Sequence, residues 1–212
     1  MAVSLKKSQS VSLAKEDPGL KNVLVGLGWK KAPQEYREVH KKSIFGRDKI
    51  EKIPVHSTAD VDCDAFAILL KDGKFTGSAD LIYFAHLKHE SESIKHMGDD
   101  LVGGKTGDCE QIKIWLNKIP KGYNKIAIGV NIYQAEARKQ SFSDVRDAFV
   151  RVENMNTGKE ICRFDLSNGE YDGKTTVYFG ELSLVNGEWT FTAIGTSTTD
   201  RSIERSANQF AG

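Results

Sequence analysis

The stretch TTVYFGELSLVNGEWTFTAI (175–194) indicates the fold most directly, because two apolar runs flank the dipeptide Asn186-Gly187. Asn-Gly is the favoured pair for a two-residue hairpin turn, since both turn positions need a positive φ. The flanking runs are rich in β-branched and aromatic residues, as half-buried strands are. The stretch therefore predicts two antiparallel strands joined by a tight turn.

Strand patterns of the same kind recur along the whole chain. They cover 3–13, 22–29, 60–70, 80–87, 111–116, 125–133, 149–153 and 161–166, with further hairpin turns at KDGK (71–74) and NTGK (156–159). Roughly ten short strands with turns between them are typical of an antiparallel β-sandwich. We therefore predict a mainly all-β chain, an antiparallel β-sandwich of two sheets with short helical turns, one of them capped by Ser141 and Asp144.

The length of 212 residues suits one domain with an insertion. Residues 30–58 are rich in Lys, Arg and His and show weak apolar periodicity, so they predict a long inserted loop on the surface. The residues 196–212 are polar and predict a loosely held tail. The expected organisation is a single sandwich domain over 1–195, with the insertion at about 30–58 and the tail after it.

Charge and cysteine content narrow the class of protein. The formal net charge of +1 gives no global basic field, so nucleic acid is not an expected partner. Cys63, Cys109 and Cys162 contain no Cys-x-x-Cys pair, which argues against a disulfide framework or a structural zinc site. The first eight residues lack the apolar run of a signal peptide, and no window reaches the ~18 apolar residues of a membrane span. A cytosolic protein is expected.

The loop GDDLVGGKTGDCE (98–110) concentrates charge in a flexible backbone. It holds four carboxylates, Asp99, Asp100, Asp108 and Glu110, among four glycines. Carboxylates that lie close together repel one another unless a cation offsets the repulsion. Calcium accepts the irregular geometry of carboxylates and loop carbonyls better than magnesium does. The loop predicts a calcium site, with a solvated acidic turn as the alternative.

A second acidic segment, DVDCDAFAILL (60–70), precedes an apolar strand. The two-residue period of a strand puts Asp60, Asp62 and Asp64 on one face, and Cys63 on the other. The spacing is that of an EF-hand loop, but Ala65 stands where that loop needs glycine and Lys71 where it needs glutamate, so the EF-hand is excluded.

Other chemistries fit the sequence less well. Cys63 and Cys109 adjoin the carboxylates and suggest a reaction with a soft metal or an oxyanion, but alternation favours Cys63 as a buried apolar residue. His86, His89 and His96 show no paired metal-ligand spacing. No nucleophile motif or P-loop occurs, and GLG (26–28) lacks the third glycine of the dinucleotide fingerprint. A metal-dependent hydrolase is therefore a minor alternative.

Several short segments, in the order in which they occur along the chain, match the sequence motifs of a known family. They are VSL (11–13), GLGW (26–29), DCDA (62–65), DLIYF (80–84), the acidic loop 98–110, ARKQSF (137–142), AFVRV (148–152), RFDL (163–166), FGEL (179–182) and GEWTF (187–191). The chain resembles the TerD domain of tellurium-resistance and general stress proteins, over about 11–195.

The resemblance implies a calcium-binding β-sandwich without known catalysis, in bacterial operons that answer tellurite and other stresses. The implied ligands are Asp60, Asp62, Asp64, Asp99, Asp100, Asp108 and Glu110. Two departures matter, because Lys30 follows Trp29 where the family has Asp, and Cys109 replaces an Asp in the loop. Each departure removes an oxygen ligand, so one or two calcium ions are expected.

The resemblance also implies partners among other stress and tellurium-resistance operon proteins. Because the two acidic segments are expected to share the ion, we also predict that calcium ties residues 60–64 to the loop 98–110. A switch in partner binding on calcium uptake is one expected role. A different kind of function is the alternative. The protein would be a scaffold or a membrane-docking module at the inner membrane face, and calcium would bridge it to anionic lipid or to a partner protein.

Overall fold

The computed structural model describes residues 2–42, 49–57, 59–99 and 107–211. Its strands are β1 Val3–Leu5, β2 Ser10–Ser12, β3 Asn22–Lys31, β4 Tyr36–Lys41, β5 Lys49–Pro54, β6 Cys63–Lys71, β7 Leu81–Ile82, β8 Ile94–Asp99, β9 Glu110–Trp115, β10 Tyr123–Ile132, β11 Val145–Asn154, β12 Glu160–Asp165, β13 Thr176–Val185 and β14 Glu188–Thr198. Short helices are α1 Leu13–Glu16, α2 Ala135–Arg138 and α3 Ile203–Asn208, and single 3-10 turns lie at Ser78–Asp80, Leu116–Lys118 and Phe142–Asp144.

The strands form two main sheets. The first has the order β1-β12-β11-β3-β9-β8, and the second has the order β2-β14-β13-β10-β6-β7. Neighbouring strands are antiparallel except β1, which runs parallel to β12. The predicted sandwich of two mainly antiparallel sheets is confirmed.

Side chains alternate between the two faces of each strand, and the inward-facing side chains of both sheets form the core. In β6, Cys63, Ala65, Ala67 and Leu69 belong to the apolar cluster between the sheets, while Phe66, Ile68 and Leu70 belong to a second cluster on the outer face. Both faces of β6 are therefore covered, which explains its continuous apolar run. The prediction that Cys63 is buried on the face opposite Asp64 is confirmed.

The hairpin turns fall where the sequence places them. Asn186 and Gly187 have φ of 51° and 82° and join β13 to β14, with Val185 opposite Glu188. Asp72 and Gly73 have φ of 49° and 79° and close the turn after β6. Both residues of each pair adopt the left-handed conformation that such a turn requires. The capping box of Ser141 and Asp144 is also present, on a 3-10 turn.

The predicted inserted loop at 30–58 is wrong in part. The insertion contains the hairpin of β4 and β5, which pair in register from Tyr36 opposite Pro54 to Lys41 opposite Lys49. Most of its described side chains are exposed, as expected for an insertion. Because neither face of this hairpin is buried, its sequence lacks the alternation that reveals other strands.

The predicted strand over 80–87 is shorter than expected. Only Leu81 and Ile82 pair with β6, and the chain then turns, with Tyr83 bridging to His86. Asp80 instead ends a 3-10 turn, where its buried carboxylate accepts hydrogen bonds from Thr76 and Tyr123. These contacts hold residues 80–82 at the edge of the sheet, although only two residues of β7 pair with β6.

The expectation of a loosely held C-terminal tail is wrong for most of its length. β14 continues to Thr198, and α3 packs on the outer face of the second sheet. Ile203 and Ala207 are buried there, and the Phe210 ring lies 5.5 Å from that of Tyr178. The amphipathic spacing of Ile203 and Ala207 explains the docking. Among the described residues, no helix has the length and apolar content needed to cross a membrane.

Candidate functional site

The acidic segment before β6 lies at one end of the sandwich. Asp60 is exposed and receives the Lys31 ammonium at 3.3 Å, and Asp62 is half-exposed and receives the Arg138 guanidinium at 3.2 Å. Asp64 is buried and stands opposite Asn131 of β10. The three predicted ligands therefore follow one another from solvent into the protein.

Glu110 joins this segment to the acidic loop. It is the first residue of β9, and its buried carboxylate accepts a hydrogen bond from the backbone N–H of Ala65. β9 and β6 belong to different sheets, so the contact crosses the sandwich. β7 pairs only with Ala67 and Ile68, so the beginning of β6 has an open edge that the Glu110 carboxylate caps. This hydrogen bond joins the start of β6 to the C-terminal end of the acidic loop.

A buried histidine stands beside Glu110. Nδ1 of His96 accepts a hydrogen bond from the Gly98 N–H at 3.0 Å, which leaves the ring proton of the neutral form on Nε2. Nε2 points toward Glu110, with 3.6 Å to its Oε2, and makes no hydrogen bond within the described part of the chain. Buried polar atoms normally have a hydrogen-bond partner, so His96 Nε2 is an unsatisfied donor beside a buried carboxylate.

Asp108 lies in a different environment from the other predicted ligands. Arg151 of β11 binds both of its carboxylate oxygens, with Nε at 2.8 Å and Nη2 at 2.7 Å, and Gln111 donates at 2.9 Å. Both charged groups are almost completely buried. The hydrogen bonds from Asp108 raise the pKa of Arg151, so the guanidinium stays charged. This geometry favours a structural role for Asp108, as the anchor of the loop's C-terminal end.

Two glycines of β3 make room for that anchor. A Cβ at Gly26 would meet the Asp108 carboxylate, and a Cβ at Gly28 would meet the Gly107 carbonyl oxygen and the Phe149 ring. The GLG sequence is therefore explained by close approach of the loop rather than by phosphate binding. The Cys109 N–H also donates to the Leu27 carbonyl at 2.7 Å, which continues the attachment of the loop to β3.

The two cysteines near the carboxylates are protonated thiols. Burial, followed by the charges of Asp64, Glu110 and Asp62, raises the pKa of Cys63 well above its usual value. Burial also raises the pKa of the half-buried Cys109, whose Sγ lies 3.4 Å from the Trp29 carbonyl oxygen. Cys63 belongs to the apolar cluster between the sheets, which is the position of a small buried apolar residue. The carboxylate oxygens fit a hard cation such as calcium.

The remaining predicted ligands are placed as follows. Asp99 ends β8 with its backbone opposite Glu110, and Asp100 lies outside the described residues, as do 101–106. Within the described ranges, no three His, Cys, Asp or Glu side chains are grouped to hold a metal ion. The described structure thus places Glu110 beside Ala65, the residue after Asp64, while Asp60, Asp62 and Asp108 each form an ion pair.

Comparison with known proteins places the chain in a family. The model of the TerD domain matches residues 1–210. The chain belongs to the TerD domain family. The match confirms the resemblance noted in the sequence, and it extends over the C-terminal helix.

Relatives with the TerD domain align over nearly their whole length. The chain is 36% identical to the stress response protein SCP2 of Bacillus subtilis over 204 residues, 96% of each chain. It is 40% identical to the tellurium resistance protein TerD of Alcaligenes sp., covering 92% of this chain and 90% of the relative. A crystal structure of a TerD homologue from Streptomyces coelicolor A3(2) shares the fold, with a TM-score of 0.61 at 17% identity, and covers 92% of this chain and 99% of that one.

Sequence reasoning missed Arg151 as the partner of Asp108. A signal was available, because AFVRV (148–152) places one charged residue in an apolar strand, and a buried charge needs a partner. The role of His96 beside Glu110 had no comparable signal. Its neighbours Lys95 and Met97 are exposed, so only the three-dimensional structure shows that the ring is buried.

Proposed function

We propose that this TerD domain protein is a non-enzymatic calcium-binding protein of the bacterial stress response. Calcium would tie the acidic start of β6 to the loop 98–110, with ligands from Asp60, Asp62, Asp64, Asp99, Asp100 and Glu110. The observation that carries the proposal is the hydrogen bond from the Ala65 N–H to Glu110, which joins the two acidic segments at one point. Asp108 would position the loop through Arg151 rather than ligate the ion.

The names of the relatives support the biological setting. They describe tellurium resistance and stress response, and none of the names cited above describes a reaction. The proposed activity is therefore a change of state on calcium binding, read by partner proteins of the same stress response. One or two ions are proposed per chain, because Lys30 and Cys109 stand where the family has oxygen ligands.

Equilibrium dialysis with calcium tests the proposal. We expect at least one ion bound by the wild type and a clear loss in the double variant Asp62→Asn, Asp64→Asn. Asp72→Asn is the matched control, because Asp72 lies in the turn at the other end of β6 and asparagine also tolerates its positive φ. Equal calcium binding by wild type and the double variant would contradict the assigned ligands, and no binding by the wild type would contradict the function.

A second candidate is calcium-dependent docking to anionic lipid. It is favoured by Leu87 and Met97, exposed apolar side chains on adjoining segments, since the His96 N–H donates to the Leu87 carbonyl at 2.8 Å. Met97 belongs to β8, the strand that leads into the acidic loop, and Leu87 lies beside this strand. A calcium ion in the loop would therefore be close to both side chains and to a bound membrane. Sedimentation with phosphatidylserine vesicles tests it, with binding in calcium but not in chelator expected. Vesicle binding that is equal in Leu87→Ser would contradict it.

A further inference from the structure

A cavity of about 200 Å³ opens at the end of the sandwich where β6 begins. Its walls come from the segment after β7, the residue after β10 and the first residues of α3. They include three aromatic rings, Tyr83, Phe84 and Tyr133, and two carboxylates, Asp64 and Glu204. Aromatic and acidic side chains are thus combined in one concave surface.

The three rings are arranged edge to face. Tyr83 and Phe84 have centroids 5.1 Å apart with 73° between their planes, and Phe84 and Tyr133 have centroids 6.1 Å apart at 90°. Phe84 and Tyr133 are also exposed, which is unusual for large aromatic side chains. All three rings line the cavity, and the electron-rich faces of aromatic rings attract cations.

One of these rings already contacts a cation. The Arg138 guanidinium lies 5.1 Å from the centroid of Tyr133 and is held by Asp62 at 3.2 Å. Arg138 lies outside the cavity wall, so this contact leaves the cavity itself open.

The charge of the wall favours a positive ligand. Burial raises the pKa of Glu204, but hydrogen bonds from its own backbone, Ser202 and Tyr83 outweigh burial and lower it, so the group is a carboxylate at neutral pH. The Tyr83 hydroxyl donates to it at 2.9 Å. Arg201, the cation in the wall, pairs with Glu136 at 3.1 Å. A neighbouring depression shares Tyr83 and Glu204 and adds the carboxylate of Glu90.

Hydrogen bonds from Asn131 hold the floor of the cavity. Nδ2 of Asn131 lies 2.6 Å from the Thr176 hydroxyl and 3.2 Å from the carbonyl oxygens of Thr175 and Asp200. These contacts fix the end of β10, and with it the position of Tyr133. A site whose walls are held in place loses little entropy when a ligand binds.

We propose that this cavity binds a small organic cation of the alkylammonium class. The rings of Tyr83, Phe84 and Tyr133 contact the alkyl groups around the charge, and Glu204 supplies the opposing charge. The cavity shares Asp64 with the proposed calcium site but differs from it in chemistry, because a hard metal ion is held by oxygens and does not need the rings.

Titration calorimetry with choline tests the proposal, with 3,3-dimethylbutan-1-ol as its neutral isostere. We expect choline to bind and the isostere to bind about tenfold more weakly or worse, since only the charge differs. Tetramethylammonium chloride serves as a second probe that lacks the hydroxyl. Equal binding of choline and the isostere, or no binding of either cation, would overturn the proposal.

Variants locate the site. Phe84→Leu and Tyr133→Leu each keep an apolar side chain and remove the ring, so choline affinity should fall by about 2-fold to 30-fold. Glu204→Gln should lower it as well. Tyr36→Leu is the matched control, because Tyr36 is an exposed aromatic residue on β4, away from the cavity. Affinities that are unchanged in Phe84→Leu and Tyr133→Leu would contradict the location.

The titrations are run in chelator, and the calcium-dependent melting of the same samples is recorded separately. A protein that binds calcium but not choline would refute this inference alone. A protein that binds choline but not calcium would refute the proposed function alone.

Discussion

The buried carboxylate of Glu110 accepts a hydrogen bond from the backbone N–H of Ala65, across the two sheets of the sandwich. Ala65 follows Asp64, and Glu110 ends the acidic loop, so this bond brings together acidic segments about forty residues apart in sequence. It also satisfies a donor on the unpaired edge of β6. An ion bound here would bind the folded chain and not the unfolded one, which couples binding to stability.

Glu110→Gln should separate the structural role of this residue from its role toward calcium. The amide oxygen still accepts from the Ala65 N–H, so stability in chelator should change by about 1 kcal/mol or less. The lost charge should remove most of the stabilisation by calcium. Urea unfolding in chelator and in calcium measures both effects.

The control for this variant is Glu188→Gln, because Glu188 is an exposed carboxylate on β14. It should keep the full response to calcium. A Glu110→Gln protein that is stabilised by calcium as strongly as wild type would show that Glu110 is not a ligand.

Arg151→Ala should destabilise the protein strongly. The change leaves the buried carboxylate of Asp108 without its charge partner, which typically costs about 3–5 kcal/mol. Lys30→Ala is the control, since the exposed pair of Lys30 and Asp147 contributes about 0–1 kcal/mol. Urea unfolding in chelator compares them, and equal losses of stability would contradict the structural role of the buried pair.

Gly26→Ala tests the close approach of the acidic loop to β3. The new Cβ would overlap the Asp108 carboxylate, so we expect a loss of about 1–3 kcal/mol and weaker calcium binding. Gly19→Ala is the comparison, because Gly19 has a φ of 85° and open space around it, so only backbone strain of about 1–2 kcal/mol applies. Calcium affinity should be unchanged in Gly19→Ala. Normal calcium affinity in a folded Gly26→Ala protein would contradict the coupling between loop position and site.

Stability should fall at alkaline pH because of buried thiols. Burial raises the pKa of Cys162 from 9.0 to about 12, and that of Cys63 also rises. Above pH 9 an unfolded thiol loses its proton while the native thiol keeps it, so stability is complete below pH 9 and declines above it. Each thiol contributes about 1.4 kcal/mol per pH unit until its native pKa is reached.

Urea unfolding between pH 8 and pH 11 measures this decline. Cys162→Ala should flatten the slope by the contribution of one thiol, whereas Cys109→Ala should change it less, because Cys109 is only half-buried. Buried Tyr171 and Tyr178, whose pKa values burial also raises, add to the decline in all variants. An unchanged slope in Cys162→Ala would contradict the assignment.

Local patterns predicted the parts of the fold that depend on neighbouring residues. The turn at Asn186-Gly187, the burial of Cys63 and the position of Asp64 on the opposite face follow from two-residue alternation and turn chemistry alone. The β4 and β5 hairpin was missed because both of its faces meet solvent. α3 was missed although Ile203 and Ala207 are spaced for one face, since so short a helix is stable only through its packing on the sheet.

The site was predictable in composition but not in arrangement. Clustered carboxylates predict that the start of β6 and the acidic loop contribute to one site. The ion pair of Asp108 with Arg151, forty-three residues apart, depends on the pairing of β3 with β9 and β11, which no local pattern encodes. From the sequence alone, Asp108 and Glu110 are predicted equally as ligands. The structure adds that Asp108 binds Arg151 and that Glu110 accepts a hydrogen bond from Ala65.

The most direct test of the central claim is thermal melting of the wild-type protein in calcium, in magnesium and in chelator. If calcium ties the start of β6 to the acidic loop, a hundredfold excess over Kd should add about 2.7 kcal/mol and raise Tm, with a smaller effect of magnesium. The rise should disappear in the double variant Asp62→Asn, Asp64→Asn. A Tm that is the same in calcium and in chelator would contradict the claim.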